Sequence, residues 1–159
     1  KTGDIFFNGQ SLTGVSTEQR ARQGLGYVPQ GREIFPLLTV EENLKISLGA
    51  RKDKAKQVPS HIYELFPVLK EMRQRRGGDL SGGQQQRAVI ARAIANKPRI
   101  LIADEPTGNL DSKTGESVLD ALKHLNKELG TTIIIVTHDS NVEKLVDRVI
   151  TIKDGIVHE

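Results

Sequence analysis

Two adjacent carboxylates, Asp104 and Glu105, directly follow an apolar run at 100–103 that is typical of a buried strand. Strand ends in α/β sheets are where ligands bind, so both side chains are expected at a binding edge. There Asp104 can hold Mg²⁺, directly or through water, and Glu105 can polarise an attacking water as a general base. For this pattern alone, two acids that merely end a strand are the alternative.

A glycine-rich turn upstream could bind an anion. Ser81-Gly82-Gly83-Gln84, which we name the glycine turn, has the spacing of a capping box and predicts a helix that runs through Ala95. A helix start presents unpaired backbone N–H groups, and Ser81 adds a hydroxyl. For a lone pair of glycines, a simple helix start would be the alternative.

The elements that position these groups alternate between strand and helix. We predict a hairpin at 3–13, a helix at 16–23 and a strand at 25–28. Buried strands are predicted at 99–103 and 132–136, joined by a helix that Asp111 or Ser112 caps and Gly130 ends. Strand–helix–strand order implies a parallel sheet with helices on its faces.

The middle of the chain is predicted to be helical. A capping box at Thr39–Glu42 starts it, 51–60 reads as a polar linker, Pro67 should kink or restart a helix, and Gly77-Gly78 breaks it. The basic residues Arg73, Arg75 and Arg76 are interpreted as a helix C-terminus, with contact to a partner as the alternative. Further on we predict a short helix at 141–146, a strand at 148–152 and a turn into 156–157.

These elements predict an α/β fold with an inserted α-helical lobe. The sheet core comprises 1–38 and 96–159, and the lobe comprises 39–95 and ends in the helix of the glycine turn.

Composition limits the function classes. The 159 residues carry a net charge of +3 and no cysteine, which excludes disulfides and thiolate metal sites. Apolar runs such as 133–136 are far shorter than the roughly 20 residues of a membrane span, and the polar start Lys1-Thr2-Gly3-Asp4 does not predict a signal peptide. The six aromatic residues do not alternate with basic ones, so no nucleic-acid partner is expected.

The order of LSGGQ at 80–84, DEP at 104–106 and IIIVTHD at 133–139 resembles the nucleotide-binding domain of ABC transporters. The resemblance implies a partial P-loop NTPase (RecA-like) sheet that uses ATP and Mg²⁺. It also implies a dimer with a second nucleotide-binding subunit and a transmembrane transporter subunit as partner. Such a chain is cytoplasmic and peripheral at the inner face of the cell membrane, where it couples ATP binding and hydrolysis to transport.

The same resemblance assigns roles to site residues. It implies that Asp104 and Gln30 hold the metal, with Glu105 and His138 as catalytic residues and His138 contacting the γ-phosphate. ATP-binding roles fall on Gln30, on Asp111 at the subunit interface, and on the glycine turn, where Ser81, Gly82, Gly83 and Gln84 contact ATP held by the opposing subunit. As alternatives, His138 and Gln30 are ordinary loop residues, and Asp111 is a helix N-cap, which is compatible with an interface role.

The two halves resemble different branches of the family. GLGYVPQGREIFPLLTVEENL at 24–44 is similar to ATPases of branched-chain amino acid or urea importers. The segment 104–139 is similar to the lipoprotein-release, macrolide-export or cell-division type. A chimera, an ancestral or designed sequence and a divergent relative all fit this mixture.

The motif G-x-x-x-x-G-K-[ST], which wraps the ATP phosphates, occurs nowhere in the 159 residues. We therefore expect no complete ATP site in a homodimer, and an inactive isolated chain. We also expect an open apolar edge at 132–136, because the strand leading into that loop is central in the family's sheet. The chain would then need a complement, or would close the gap by rearrangement or swapping.

Two functions of different classes follow. In the first, the chain is part of an ABC ATPase that drives transport. In the second, it is a non-catalytic or engineered module that lends LSGGQ to a composite site on a complete partner. DNA-repair and chromosome-associated ABC ATPases fit poorly, since Gln30 and Ser81 are only 51 residues apart and leave no room for their long lobe insertions.

Overall fold

The computed structural model describes residues 3–51, 53, 55–108 and 110–158. Six positions lie outside the described residues. They fall at the start of the chain, where no signal peptide was predicted, in the polar linker, in the loop before Asp111 and at the end of the chain. These positions are Lys1, Thr2, Lys52, Lys54, Asn109 and Glu159.

A three-stranded parallel sheet organises the fold. Its strands are β3 (Leu25–Val28), β4 (Ile100–Asp104) and β5 (Thr132–Val136), with β4 between the other two. Val28 pairs with Ala103, and Asp104 pairs with Val136. The predicted α/β class with a parallel sheet flanked by helices is confirmed, and all three strands end at one edge.

Two hairpins lie at the ends of the chain. β1 (Phe6–Phe7) pairs with β2 (Gln10–Ser11), and β6 (Thr151–Lys153) pairs with β7 (Ile156–His158). Each turn has two residues at positive φ, as type I′ hairpins require: Asn8-Gly9 and Asp154-Gly155. The prediction that a strand begins at Arg148 is wrong, because pairing with β7 extends only to Thr151.

The helices begin where the capping patterns predict. They are α1 (Thr17–Arg22), α2 (Val40–Ile46), α3 (Ser60–Leu65), α4 (Pro67–Glu71), α5 (Gly82–Ala95) and α6 (Ser112–Leu129). Ser16, Thr39 and Ser81 each form a complete capping box, and Pro67 restarts a helix as its first residue. Gly130 ends α6 in the left-handed conformation. Among the described residues no helix has the length and apolarity to cross a membrane.

Two helix predictions need correction. The segment predicted as a helix at 141–146 is a 3₁₀ turn, Val142–Leu145, which ends where Val146 becomes extended. The arginine cluster does not end a helix, because α4 stops at Glu71. Instead the carbonyls of Arg73 and Arg75 accept hydrogen bonds from the first turn of α2, at Glu41 and Val40.

Helix α5 forms the centre of the core. Seven of its fourteen residues are buried, and it packs against α2 and β3. The division into lobe and sheet core stays a prediction, since α5 contacts elements of both. β5 is not the doubly buried strand predicted: Ile134 is 46% exposed and Val136 52%, because only the face with Ile133 and Ile135 packs on the core. No described strand pairs beyond β5. The expected open apolar edge is therefore present.

Candidate active site at the carboxyl edge of the sheet

Glu105 and His138, 33 positions apart in sequence, meet at the carboxyl edge of the sheet. Glu105 Oε1 lies 2.6 Å from His138 Nδ1 and accepts a hydrogen bond from the His138 backbone N–H at 3.1 Å. The hydroxyl of Thr137 donates to Glu105 Oε2 at 3.2 Å. Parallel pairing of β4 with β5 brings Glu105 and His138 together. Asp104 pairs with Val136 at the ends of the two strands, so the residues that follow emerge side by side.

The backbone holds the Glu105 carboxylate in place. Glu105 has φ 45°, in the left-handed region that non-glycine residues rarely adopt, and its N–H donates to the carbonyl of Val136 at 2.8 Å. Such conformations persist where the surroundings fix them, and they cluster at functional sites. The fold thus turns the chain sharply at the end of β4 and directs Glu105 at the residues after β5.

The electrostatics favour an ionised carboxylate. Burial acts to raise the pKa of Glu105, but the hydrogen bonds from His138 and Thr137 outweigh it, so the pKa is lowered overall. The Glu105 side chain is 14% exposed, whereas that of His138 is 88% exposed. A sheltered anion therefore orients a solvent-facing imidazole. With Nδ1 on Glu105, the second ring nitrogen, Nε2, lies on the opposite side of the ring.

Asp104 and Gln30 follow neighbouring strands at the same edge. Asp104 is the last residue of β4, and Gln30 is the second residue after β3. Carboxylate and amide oxygens suit Mg²⁺, which usually takes one or two protein ligands and leaves the rest to water and phosphate. Among the described residues, no group of three or more His, Asp or Glu side chains lies close enough together to hold a metal ion. A metal ion here would therefore need further ligands from water or phosphate. The donors fit a magnesium ion that arrives with a nucleotide.

The glycine turn is a fully formed helix start. Ser81 Oγ accepts from the Gln84 N–H at 3.4 Å, and Gln84 Oε1 accepts from the Ser81 N–H at 2.9 Å. Both glycines face side chains of this chain. A Cβ on Gly82 would lie 2.3 Å from Arg32 Cζ, and one on Gly83 would lie 2.5 Å from the Thr114 methyl group. Close approach therefore favours glycine at Gly83, where the short Thr114 side chain has little room to move, whereas at Gly82 the end of the Arg32 side chain could shift aside. The guanidinium of Arg32 adds positive charge beside the turn.

Asp111 caps α6 next to this turn. Its carboxylate accepts from the Thr114 N–H at 3.1 Å, and its hydrogen bonds to Thr114 lower its pKa. Thr114 in turn packs on Gly83, which places Asp111 and the glycine turn on one surface. The N-cap interpretation of Asp111 is confirmed, while its role at a subunit interface stays a prediction.

The predicted residues form two groups. Asp104, Glu105 and His138 meet at the sheet edge, where Gln30 also follows a strand, and the glycine turn lies with Asp111 elsewhere. In the described part of the chain, no hydrogen bond joins Glu105 or His138 to the glycine turn. Sequence reasoning missed the contacts of Thr137, Thr114 and Arg32, because they join segments that are distant in sequence and no local pattern signals them.

The chain is similar to known proteins over nearly all of its length. The family model described as ABC transporter matches residues 1–108. A dimeric post-hydrolysis state of the ATP-binding cassette MJ0796, bound to ADP and Pi, is 34% identical with a TM-score of 0.82. A second dimeric structure of MJ0796, a bacterial ABC transporter cassette, is 36% identical with a TM-score of 0.81. Each comparison covers 99% of this chain and 72% of the other.

Proposed function

The chain belongs to the ABC transporter family, and from this premise we propose that it serves the ATP-dependent step of a membrane transporter. One observation carries the proposal: the contact of Glu105 with His138 beside Asp104, at the edge where parallel strands end. A carboxylate kept ionised, a histidine oriented by it and an adjacent metal-binding acid are what hydrolysis of a phosphoanhydride requires. The family generally uses ATP with Mg²⁺, and both are proposed for this chain.

The proposed chemistry assigns one task to each group. Asp104 and Gln30 would hold Mg²⁺, which supplies charge neutralisation at the phosphates. Glu105 would accept a proton from the attacking water, for which its lowered pKa keeps it unprotonated at neutral pH. Because both Glu105 oxygens already accept hydrogen bonds, the water would bind a remaining lone pair or replace Thr137. His138 would present its free edge to the γ-phosphate.

The glycine turn would bind the γ-phosphate of ATP held by another subunit. Ser81 supplies a hydroxyl, and the first turn of α5 supplies N–H groups and the positive end of the helix dipole. The close approach of Arg32 and Thr114 to Gly82 and Gly83 supports a turn with a fixed shape. Asp111 would line the same interface. The dimers that MJ0796 forms support a second nucleotide-binding subunit as partner.

A transmembrane subunit is the second proposed partner. Membrane attachment would then be peripheral, at the cytoplasmic face, through that subunit. The lobe, which includes α5 and through it contacts β3 of the sheet, is the proposed contact region. The proposed residue bounds remain 39–95 for the lobe and 1–38 with 96–159 for the core.

The 159 residues contain no phosphate loop, so we expect them not to bind ATP alone. The test is a titration with a fluorescent ATP analogue and Mg²⁺, repeated with Glu105→Gln. Both proteins should show no saturable binding into the millimolar range. Saturable binding would mean that the chain builds a phosphate cradle of another kind, and the expectation of inactivity would be wrong.

A second candidate function is favoured by the complete glycine turn in a chain without a phosphate loop. As a non-catalytic or engineered module, the chain would lend LSGGQ to one composite site on a complete cassette. Glu105 would then be idle, because it lies at the sheet edge and not on the surface of the glycine turn. The two candidates therefore differ in whether hydrolysis needs Glu105 of this chain.

A further inference from the structure

Two adjoining clefts lie at the amino edge of the sheet, opposite the candidate active site. One has a volume of about 290 Å³ and lies where Gly24 and Arg99 lead into β3 and β4. The other, of about 370 Å³, lies beside the 3₁₀ turn after α2, and Arg51 lines both. We name the pair the basic cleft. β4 spans five residues, or about 15 Å, which separates the basic cleft from Glu105.

The lining of the basic cleft is strongly positive. It holds six cationic side chains and one carboxylate, Asp53, a net +5; the rest of the chain therefore carries −2 of the total +3. The six cations are Arg22, Lys45, Arg51, Lys56, Lys97 and Arg99. Asp53 is already bound by Arg51, whose Nη1 also donates to the carbonyl of Ala95 at 2.9 Å.

Local partners account for only part of this charge. Arg22 pairs with Glu18 and Lys45 with Glu41, each at 2.7 Å. The C-termini of α1 and α5 face the cleft, and a helix C-terminus offsets about half a charge. Lys56, Lys97 and Arg99 form no ion pair with a carboxylate of the described residues. Arg99 lies over the Phe7 ring, 5.7 Å from its centroid, and Lys97 shares the Asp53 carboxylate with Arg51 through its charge alone. The cations of the basic cleft therefore outnumber the carboxylates that could pair with them.

A partly buried histidine senses the charge of the basic cleft. His61 has a buried Nε2 with no hydrogen-bond partner in the described part of the chain. Burial lowers the pKa of His61, and the charges of Lys97 and Arg51 lower it further against the opposing effect of Glu64. The positive potential of the cleft therefore reaches His61 inside the fold.

We propose that the basic cleft binds a phosphate-bearing anion at a site separate from the ATP site. The anion would lie between Lys56, Lys97 and Arg99. The phosphate can come from a soluble polyphosphate or from an anionic phospholipid headgroup. Neither source requires Glu105, Asp104 or the glycine turn.

The test follows the four histidine rings by NMR while magnesium-free pyrophosphate is added. Bound anion offsets the cleft charges, so the pKa of His61 should rise with saturation, while the ring chemical shifts of His124 on α6 should not change on anion addition. Lys56→Gln with Lys97→Gln should weaken binding about fivefold or more. Both lysines are exposed and neither side chain forms a hydrogen bond with a described residue, so the variant should fold. Lys123→Gln with Lys127→Gln on α6 removes equal charge and should have less than about a twofold effect.

A second arm identifies the source of the phosphate. Vesicles of phosphatidylcholine containing phosphatidylglycerol are sedimented with the protein, beside vesicles of phosphatidylcholine alone. Binding to the anionic vesicles that Lys56→Gln/Lys97→Gln removes assigns a lipid headgroup, and a pyrophosphate response without vesicle binding assigns a soluble ligand. If His61 does not respond and the vesicles do not bind, or if both double variants weaken binding equally, the proposal is overturned.

Discussion

At the scale of single residues, the site depends on how two strand ends place Glu105 against His138. Asp104 pairs with Val136, so the next residues of both strands emerge side by side. The sequence motifs predicted both residues. They did not predict that the Thr137 hydroxyl and the His138 backbone N–H would donate hydrogen bonds to the Glu105 carboxylate. These contacts depend on the left-handed turn at Glu105, which no sequence pattern signals.

His138→Ala should raise the pKa of Glu105, because burial then acts with fewer opposing hydrogen bonds. A lowered pKa stabilises the fold above the ordinary carboxyl value, and this contribution is lost as pH falls through the folded-state pKa. The stability difference between wild type and variant should therefore shrink in acid. Carbon NMR of the Glu105 carboxyl measures the pKa directly.

His124→Ala is the matched control for that titration. His124 is exposed on α6, and none of the described hydrogen bonds involves its side chain. Its loss should leave the Glu105 pKa where it is. An unchanged pKa in the His138 variant would show that the imidazole does not hold the carboxylate in solution.

At the scale of elements, the segment 33–39 follows the loop of Gln30 and contacts the stretch around Gly77, which lies just before the glycine turn. Asn43, 1% exposed, accepts from the Phe35 N–H and donates to three carbonyls of this segment. Gly77 approaches it closely, since a Cβ there would lie 2.8 Å from the Phe35 carbonyl oxygen. Arg92 of α5 donates to the Glu33 carbonyl at 2.6 Å and stacks on Phe35. Movements of the Gln30 loop and of the glycine turn should therefore be coupled.

Asn43→Ala should lower the free energy of unfolding by about 2–4 kcal/mol, because the Phe35 N–H loses its acceptor, three carbonyls each lose one of two donors, and a buried side chain is removed. Asn126→Ala is the control: it removes one side-chain hydrogen bond, to the Thr131 carbonyl, and should cost about 1 kcal/mol. Urea unfolding of the two variants measures both values. Equal costs would mean that Asn43 does not hold the segment.

Sequence patterns predicted the elements better than their contacts. The capping boxes at Thr39 and Ser81 predicted helix starts because the signal lies within four residues. The buried Asn43 and the approach of Arg32 to Gly82 join distant segments, so only the folded chain reveals them. The burial of β5 was overestimated because an apolar run cannot show whether both faces of the strand are covered.

At the scale of the whole molecule, β5 offers a free edge and an exposed apolar face. In the described residues β5 pairs only with β4, and Ile134 and Val136 lie on its exposed side. Unpaired parallel strands with such a face tend to associate. We expect the isolated chain to self-associate as its concentration rises.

Ile134→Lys should reduce this self-association by placing a charge on the exposed face of β5. Thr132→Lys puts the same charge on the same face without removing apolar surface, and should reduce association less. Sedimentation velocity over a range of concentrations measures the effect. If neither variant changes the association, its interface lies elsewhere on the molecule.

The central claim is that this chain supplies a working glycine turn to an ABC ATP site. The most direct test mixes it with a complete ABC cassette in which the serine of its own LSGGQ motif has been replaced, and measures ATP hydrolysis. The chain should restore hydrolysis, Ser81→Arg should abolish the restoration, and Glu105→Gln should leave it intact if the chain acts only through the glycine turn. Loss with Glu105→Gln would instead assign catalysis to this chain. Failure of the unmodified chain to restore hydrolysis, or restoration that survives Ser81→Arg, would contradict the claim.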